Sequence, residues 1–514
     1  MKRQRILAIS TVAVLLLVAC SNAVLVERRT GEAAGAEGDL GSGPLASSDG
    51  KGGKAGSGDE LSEGGAGSLN LGSGSGPGGG GGGGPGGGGR TMCATNSNPD
   101  DGFTAETLKI GTILPLTGSS RPLGEQAGRA MKVSTEQIMN RQSSLGGAYK
   151  NYGWGCPERP GIFGRRVELE VFSMQNNTPE EALAGMRRLI AAENVFTVRD
   201  CYLQDELMGA AAQYQNQQQV PAVWCHYSGM PLPELAPWSF APGTNPEVQT
   251  AINTAYDLKK GNKKRIAILA DPTHERTLVP VVKRVASHFG RRIPSDCIVY
   301  KRIQEASRGM RGEVARMRTC YGAANPTDMV VALDAVLATF AALEAEDQGW
   351  KPANSGVSWT CTGTSCWAVV LADICGRACE GMTTNSASLP FVPTASAAKY
   401  PAVKIYRDIH RRYLSQDPPD ILTYAPIAIT SGIALWLQMT GPDLSRERFA
   451  HTLGNLRNWD AGIGPVINTS DADHFGANAT WVIKFTGRAP WFDDVSGRFV
   501  TLDQLGVPAS AVDG

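Results

Sequence analysis

The sequence predicts an α/β fold in which parallel strands alternate with helices, and three observations lead to this class. Strand-like and helix-like segments alternate from Leu108 onward. The runs 266–270 and 329–333 are apolar throughout, as expected for parallel strands that helices cover on both faces. Residues 178–181 form a capping box with proline at the first helical position, which marks the start of a helix. We therefore expect two Rossmann-like lobes, each with a parallel central sheet.

The individual elements follow in order. Residues 108–114 predict a strand, and the helix after it is expected to bury one face, formed by Ala127, Ala130, Met131, Ser134 and Ile138. The alternation of Val167, Leu169 and Val171 predicts a second strand.

The pattern then repeats. The helix that follows the capping box is expected to bury Leu183, Met186 and Ile190. A strand over 195–198, a helix from about 203 to 217 and a strand over 220–224 complete the first series.

The amino terminus has the features of a secretory signal. Basic residues Lys2, Arg3 and Arg5 precede an apolar run over 6–18, and residues 17–20 read Leu-Val-Ala-Cys. These four residues resemble the lipobox of bacterial lipoproteins, which implies a signal peptide over 1–20 and lipid on the sulfur of Cys20. The alternative is a plain transmembrane anchor, but the run is shorter than the roughly 20 residues that cross a bilayer. Both readings place the rest of the chain outside the cytoplasm, and the first places it on the outer face of the cell membrane.

Residues 21–105 are expected to be a disordered tether. Gly and Ser dominate this segment, including the run 74–89, and there is too little apolar surface to offset the entropy of folding. A flexible coil of this length has a root-mean-square reach of about 50 Å.

Composition excludes several functional classes. The 514 residues carry 49 basic and 49 acidic side chains, and a nucleic-acid binder would need a basic surface. The apolar stretches 427–439 and 329–343 fall short of membrane-spanning length. The six histidines are scattered and no catalytic motif is present, so we expect neither an enzyme nor a cofactor.

Several segments carry a family resemblance. They include Leu-Lys-Ile-Gly-Thr-Ile-Leu-Pro-Leu-Thr-Gly at 108–118, Gly-Arg-Arg-Val-Glu-Leu at 164–169, Pro-Glu-Glu-Ala at 179–182, Val-Pro-Ala-Val at 220–223 and Arg-Ile-Ala-Ile-Leu at 265–269. Together they resemble the branched-chain amino-acid (Leu/Ile/Val) type of substrate-binding lipoprotein from ABC importers, over about residues 107–500. The resemblance implies a type I periplasmic binding protein fold, in which two lobes enclose a ligand and the chain crosses the hinge three times.

The lobe boundaries follow from this resemblance. We expect an N-terminal lobe of residues 106–240 plus 383–465 and a C-terminal lobe of 241–382 plus 466–514. The crossings would lie near 239–243, near 381–384 and close to the C-terminal segment.

Ligand-binding residues are expected on loops at the carboxyl ends of strands, where parallel sheets leave a crevice. The candidates are Thr117, Ser119, Asp200, Tyr202, His226, Tyr227, Asp271, Asp334 and Thr362. The sequence departs from its relatives here, because Arg-Asp-Cys-Tyr (199–202) and Cys-His-Tyr-Ser (225–228) stand where small Gly and Ser residues usually hold a ligand carboxylate. Alternatively, Tyr202 and Tyr227 pack on the lobe surface and Asp200 is solvated.

The cysteines are expected to form disulfides. Ten remain once Cys20 is set aside, an even number in an oxidising compartment. Cys201 and Cys225 end consecutive strands, which lie about 4.8 Å apart, so we pair them. The further pairs are Cys297 with Cys320, Cys361 with Cys366, Cys375 with Cys379, and Cys93 with Cys156; Cys361, Cys366, Cys375 and Cys379 could exchange partners. No spacing is Cys-x-x-Cys, and we expect no metal.

These observations predict a monomeric, extracytoplasmic, lipid-anchored solute-binding protein. It would capture a small polar ligand, such as an amino acid or amide, and deliver it to the permease and ATPase subunits of an ABC importer. The alternative is a sensing or adhesion lipoprotein of the same fold with no role in transport.

Overall fold

In the computed structural model of the chain, the described residues are 93–117, 121–141, 156, 159–175, 178–201, 205–225, 237–353, 355–362, 366, 369–387, 401–460, 464–488 and 491–512. The expected signal peptide, Cys20 and residues 21–92 of the expected tether lie outside these residues. The expectation of a disordered tether is wrong for residues 93–105, because Ala94 and Phe103 are buried and Cys93 forms a disulfide with Cys156.

The first part of the chain forms a five-stranded sheet. In chain order its elements are β1 (Thr107–Leu114), α1 (Arg121–Ser134), β2 (Arg166–Ser173), α2 (Pro179–Arg187), β3 (Thr197–Arg199), α3 (Asp205–Gln217), β4 (Ala222–Val223) and β5 (Ser239–Phe240). The strands lie in the order β2-β1-β3-β4-β5, and each neighbouring pair is parallel. The predicted α/β class and parallel arrangement are confirmed.

The structure contains the predicted elements of this sheet, with small differences in their bounds and buried faces. All five residues expected on the buried face of α1 and its π-helical continuation (Thr135–Asn140) are buried. Thr178 caps α2 by accepting a hydrogen bond from the Glu181 amide. Leu183 is only half-buried, because the inner face of α2 runs through Ala182 and Met186.

The chain then crosses to a second sheet. The elements that follow are β6 (Gly243–Thr244), α4 (Pro246–Gly261), β7 (Ile266–Ala270), α5 (Leu278–His288), β8 (Ile298–Tyr300), α6 (Arg311–Thr319), β9 (Met329–Ala332), α7 (Ala335–Asp347), β10 (Ser358–Cys361), α8 (Val369–Cys375) and β11 (Thr383–Ser386). The apolar runs at 266–270 and 329–333 form β7 and β9, as predicted.

Three helices return to the first sheet: α9 (Pro401–Tyr413), α10 (Ile421–Thr440) and α11 (Arg446–Gly454). The Ser134 and Thr430 hydroxyls join α1 to α10 over 2.7 Å. The ring of Phe196 packs between those of Phe103 and Phe449, at centroid distances of 5.7 and 5.5 Å, and so links α11 to the start of the central strand β3. We call the elements on the first sheet the first lobe.

The last elements are β12 (Gly476–Ala477), β13 (Ala479–Phe485), β14 (Phe492–Thr501) and α12 (Leu502–Leu505). Strand β12 pairs with β6 in a separate two-stranded sheet, and β13 and β14 complete the second sheet. Its strand order is β14-β13-β11-β10-β9-β7-β8. Neighbours from β8 to β11 pair in parallel, whereas β13 pairs antiparallel with both β11 and β14. The elements on this sheet form the second lobe, which is mixed rather than wholly parallel because β13 and β14 form a hairpin.

One expected boundary lies in a different place. Residues 383–386 were expected in the N-terminal lobe, but they form β11, which pairs with β10 and β13 in the second sheet. The return to the first lobe therefore lies after Ser386, a few residues beyond the expected crossing at 381–384.

The helix α10 is longer than the expected apolar stretch at 427–439. Within the described part of the chain it is the one helix long and apolar enough to cross a membrane, with 72% of its most apolar window buried inside the protein. It packs against α1 and α11, as a core helix does.

Five disulfides join the cysteines in the pairs that the sequence analysis expects. They are Cys93–Cys156, Cys201–Cys225, Cys297–Cys320, Cys361–Cys366 and Cys375–Cys379. The exchange of partners among the last four cysteines does not occur in this structure.

Candidate functional site

Two segments that link the lobes run side by side. Strand β6 pairs in parallel with β12 through Gly243 with Gly476 and Thr244 with Ala477. A side chain at Gly243 would lie within 2.7 Å of the Trp224 ring, and Gly476 has a left-handed φ of +73°. Glycine is therefore needed at 243 to leave room for the Trp224 ring, and at 476 for the left-handed backbone conformation.

His474 fastens this pair of segments to the first sheet. Its Nδ1 atom lies 2.7 Å from the Ser239 carbonyl oxygen, and its ring stacks on Phe240 at a centroid distance of 4.4 Å. Asp473 accepts hydrogen bonds from the amides of Phe475 and Gly476. The acidic turn before β12 thus serves the backbone, as aspartates in turns usually do.

The carboxyl end of β3 holds a buried ion pair. Asp200 is 2% exposed, and its Oδ2 atom lies 3.3 Å from a guanidinium nitrogen of Arg199. Burial raises the pKa of Asp200 to about 6, although the Arg199 charge acts in the opposite direction. The alternative that Asp200 is solvated is therefore wrong.

Arg199 connects this strand to the returning helix α10. Its guanidinium donates to the Thr430 hydroxyl and, over 3.0 Å, to the Pro426 carbonyl oxygen. Sequence reasoning placed Arg199 among unusual loop residues but gave it no role, since its partners lie more than 220 residues away.

The ends of β3 and β4 share an unusual backbone conformation. Asp200 and Trp224, each the first residue after its strand, have φ values of +49° and +58°. Non-glycine residues seldom adopt this region, and such strain is concentrated at functional sites. The next residues, Cys201 and Cys225, are joined by a disulfide, which holds the two strained ends together. We call Asp200, Cys201, Trp224 and Cys225 the strained rim.

Three candidates in the second lobe follow neighbouring strands. Asp271 comes after β7, Asp334 after β9 and Thr362 after β10, and these strands are adjacent in the sheet. The carboxyl ends of parallel strands meet at one edge, so the topology places all three along the same edge.

Asp271 is held by its own loop. Its Oδ1 atom accepts from the amide and hydroxyl of Thr273, at 3.0 and 2.9 Å, and its Oδ2 atom accepts from the Ile303 amide at 3.0 Å. Both carboxylate oxygens are thus engaged within the lobe.

Asp334 caps helix α7 and is partly exposed. Its Oδ1 atom accepts from the amides of Val336 and Leu337, at 2.7 and 2.9 Å. Burial raises the pKa of Asp334, the charge of Asp271 raises it further, and the hydrogen bonds and His274 lower it. Among the described residues, no hydrogen-bond partner is found for the buried Nδ1 atom of His274. We call Asp271, His274 and Asp334 the acidic corner; His274 ends the loop 271–274 that the carboxyl-end rule selects after β7.

Two threonine candidates make structural hydrogen bonds. The Thr117 hydroxyl donates to the Met174 carbonyl oxygen over 2.9 Å. Thr362 is buried, and its hydroxyl accepts from that of Thr250 over 3.2 Å. Ser119, Tyr202, His226 and Tyr227 lie outside the described residues.

The chain matches known proteins over most of its length. The sequence pattern of a family described as periplasmic binding protein matches residues 107–489. No curated protein sequence matches it significantly.

Several solved structures share the fold. A possible leucine/isoleucine/valine-binding protein from Rhodopirellula baltica SH 1 is 14% identical, with a TM-score of 0.60, and the match covers 78% of this chain and 99% of that one. A fatty acid ABC transporter substrate-binding protein from Thermomonospora curvata is 19% identical, with a TM-score of 0.61 and coverage of 79% and 96%. A solute-binding protein of an ABC transporter from Rhodopseudomonas palustris BisB5, solved with 3,4-dihydroxybenzoic acid, is 15% identical, with a TM-score of 0.56 and coverage of 77% and 95%.

Proposed function

Because the chain belongs to the periplasmic binding protein family, we propose that it binds a small polar ligand between its lobes and delivers it to an ABC permease. Members of this family are solute-binding proteins rather than enzymes, and they act outside the cytoplasm. The observation that supports this proposal most is the arrangement of the strained rim and the acidic corner, each at the carboxyl ends of parallel strands in its own lobe.

The acidic corner supports a ligand that carries an amine or amide group. Asp334 uses its Oδ1 atom to cap α7, and its Oδ2 atom makes no hydrogen bond to the described residues. A carboxylate oxygen accepts hydrogen bonds, and an ammonium group donates three. A bound cation would also lower the raised pKa of Asp334, so binding would release a proton.

The first lobe contributes less charge to such a site. Arg199 and Asp200 neutralise one another inside the lobe, so neither leaves a full charge for a ligand. Tyr202 and Tyr227 remain our candidates from this lobe for stacking on a planar or apolar part of the ligand. The binding residues would then come from both lobes.

The descriptions of the related structures do not identify a single class of ligand. One binds a fatty acid by its description, another was solved with an aromatic acid, and a third is described as a possible receptor for branched-chain amino acids. An amino acid, an amide or a related compound is our proposal on the strength of Asp334 alone.

Lipid on Cys20 and the segment 21–92 would hold the folded part near the membrane that contains the permease. The length of this segment is also compatible with a second proposal, in which the protein is a sensing or adhesion lipoprotein. Deletion of the protein would abolish uptake of the identified ligand if it transports, whereas uptake would be unchanged if it only senses or adheres.

A thermal-shift screen tests the ligand class. The panel contains amino acids, amides, polyamines, ureas, aromatic acids and fatty acids. A ligand that binds only the folded state stabilises it by about 2.7 kcal/mol at a concentration of 100 times its Kd. We expect an amine- or amide-bearing compound to raise the Tm, and a response confined to fatty or aromatic acids would contradict the proposed class.

A further inference from the structure

One face of α4 packs on the second sheet with polar side chains. Thr250, Asn253, Thr254 and Asp257 recur at the spacing of a single helical face, and all four are buried. This spacing usually carries the apolar residues that join a helix to a core. Each of these polar groups therefore needs a hydrogen-bond partner inside the protein.

The facing residues of the sheet are also polar. Thr360 on β10 and Thr383 on β11 are partners in the parallel ladder, so their side chains lie on the same face. The Thr383 hydroxyl donates to Asp257 over 2.7 Å, which identifies this face as the one that meets α4. Thr362, two residues after Thr360, lies on the same face and bonds to Thr250. We call these seven residues of α4, β10 and β11 the polar seam.

Three atoms of the polar seam lack a partner. The Nδ2 atom of Asn253 donates to the Cys361 carbonyl oxygen over 3.0 Å, but its Oδ1 atom accepts no hydrogen bond from the described residues. The same is true of the hydroxyl oxygens of Thr254 and Thr360. All three residues are 0% exposed, so bulk solvent does not reach them. Buried polar groups in this state are unfavourable unless an ordered molecule satisfies them.

We propose that the polar seam holds an ordered water molecule that bridges Asn253, Thr254 and Thr360. The hydrogen bonds balance: the water donates one hydrogen to Asn253 Oδ1 and the other to one threonine hydroxyl, and it accepts from the second hydroxyl. Three bonds are typical of an internal water.

A monovalent cation would use the same oxygen atoms, but the chemistry favours water. The three unpartnered atoms are neutral, and the one acidic group nearby, Asp257, is already bonded to Thr383. Burial raises the pKa of Asp257 to about 7, so this carboxyl is largely protonated in mildly acidic solution and attracts a cation weakly.

The water would belong to the framework of the second lobe. Helix α4 begins directly after the crossing strand β6, and β10 is followed directly by Thr362, one of the candidate residues at the carboxyl edge. A bridge between α4 and β10 would therefore hold the crossing segment against the strand that carries this edge.

The substitutions Thr254→Val and Thr360→Val, singly and together in the full chain, test the proposal through the sign of the change in Tm. If water bridges these residues, each single substitution removes one hydrogen-bond partner of the water and should lower the Tm by about 2 to 4 °C. The double change should lower the Tm by less than the sum, because the two residues share the water. If no molecule is bound, each valine removes an unsatisfied hydroxyl and the Tm should rise, which would overturn the proposal.

Thr339→Val is the matched control. Thr339 is a buried threonine of the same lobe, outside the polar seam, whose hydroxyl bonds to the Ala335 carbonyl oxygen of its own helix. The changes in Tm caused by Thr339→Val and Thr254→Val should add. Non-additivity as large as that between Thr254→Val and Thr360→Val would count against a shared water.

A crystal structure at high resolution, from crystals soaked in rubidium chloride, identifies the bound species. A peak within hydrogen-bond distance of Asn253, Thr254 and Thr360 without anomalous signal would support water. An anomalous peak there would identify a cation instead of water and would overturn the proposal. Direct hydrogen bonds from all three side chains to other protein atoms would also overturn it.

Discussion

The Nδ1 atom of His474 lies 2.7 Å from the carbonyl oxygen of Ser239, a residue 235 positions earlier in the chain. A carbonyl oxygen only accepts hydrogen bonds, so Nδ1 carries the hydrogen and donates it. The contact ties the segment before β12 to β5, directly beside the paired strands β6 and β12. It therefore helps to fix where the first lobe ends and the crossing begins.

Replacing His474 with Ala should destabilise the protein. The change removes a buried hydrogen bond and the ring stacked on Phe240, and we expect a loss of about 1–3 kcal/mol in the free energy of unfolding. Urea unfolding measures it. His451→Ala, at an exposed position of α11, is the control and should change stability by less than about 0.5 kcal/mol. Equal effects of the two changes would mean that the His474 contact adds nothing.

Asp420→Asn should alter how stability depends on pH. Asp420 caps α10 and accepts from Gln126, and burial raises its pKa to about 7. A carboxyl with a raised pKa contributes its full stability below the unfolded pKa, near 3.9, and loses it as the pH rises through about 7. Asparagine also caps helices but does not ionise.

The Tm of the Asp420→Asn variant should therefore match that of the wild type near pH 4 and exceed it progressively between pH 4 and 8. The two proteins at pH 4 serve as their own control, since both side chains are then neutral. Parallel curves over the whole range would contradict the raised pKa.

Removal of the Cys201–Cys225 disulfide by two alanine substitutions should cost about 3 kcal/mol. The bridge closes a loop with a sequence separation of 24, which restricts the unfolded chain. Removal of Cys375–Cys379, with a separation of 4, should cost less, about 2 kcal/mol. Denaturant unfolding compares the two variants, and a smaller loss for the first would conflict with this ordering.

Cys20→Ala tests the anchor. Without the sulfur that would carry lipid, the protein should accumulate as unprocessed precursor or appear in the medium. Detergent phase partitioning of cell fractions measures this, with the wild type as control. A variant that partitions like the wild type would exclude lipid on Cys20.

The sequence predicted the fold better than the details of the site. Strand β7 is apolar at every position and was predicted with its observed bounds. Strand β14, at the sheet edge, has polar and charged residues between its apolar ends and was therefore not predicted. The carboxyl-end rule located Asp271 and Asp334. It could not show that both cap helices, because a capping aspartate and a ligand-binding aspartate occupy the same place between a strand and a helix.

Contacts between residues far apart in the chain could not be predicted from the sequence, because they depend on how distant elements pack. Asp200 was a ligand-binding candidate with a solvated residue as the alternative, and its burial depends on Arg199 and on the distant helix α10. The polar face of α4 meets threonines that lie on β11 and at the end of β10, more than 100 residues further along the chain.

Closure of two lobes around a ligand is the central claim, and Asp334 is the residue on which it most depends. Asp334→Asn retains the cap of α7 but removes the charge, so it suits the test better than alanine, which would also weaken the helix. We expect it to reduce affinity by about 2 kcal/mol, or roughly 30-fold, without lowering the Tm of the free protein. Asp420→Asn, a capping aspartate of the first lobe, is the matched control and should bind normally.

The most direct measurement is small-angle X-ray scattering of the wild type with and without a ligand identified by thermal shift. Contacts present only in the closed form must favour that form, so the radius of gyration should fall on ligand addition. The Asp334→Asn variant should require a correspondingly higher ligand concentration for the same contraction. An unchanged radius of gyration at saturating ligand would contradict closure of the two lobes around the ligand.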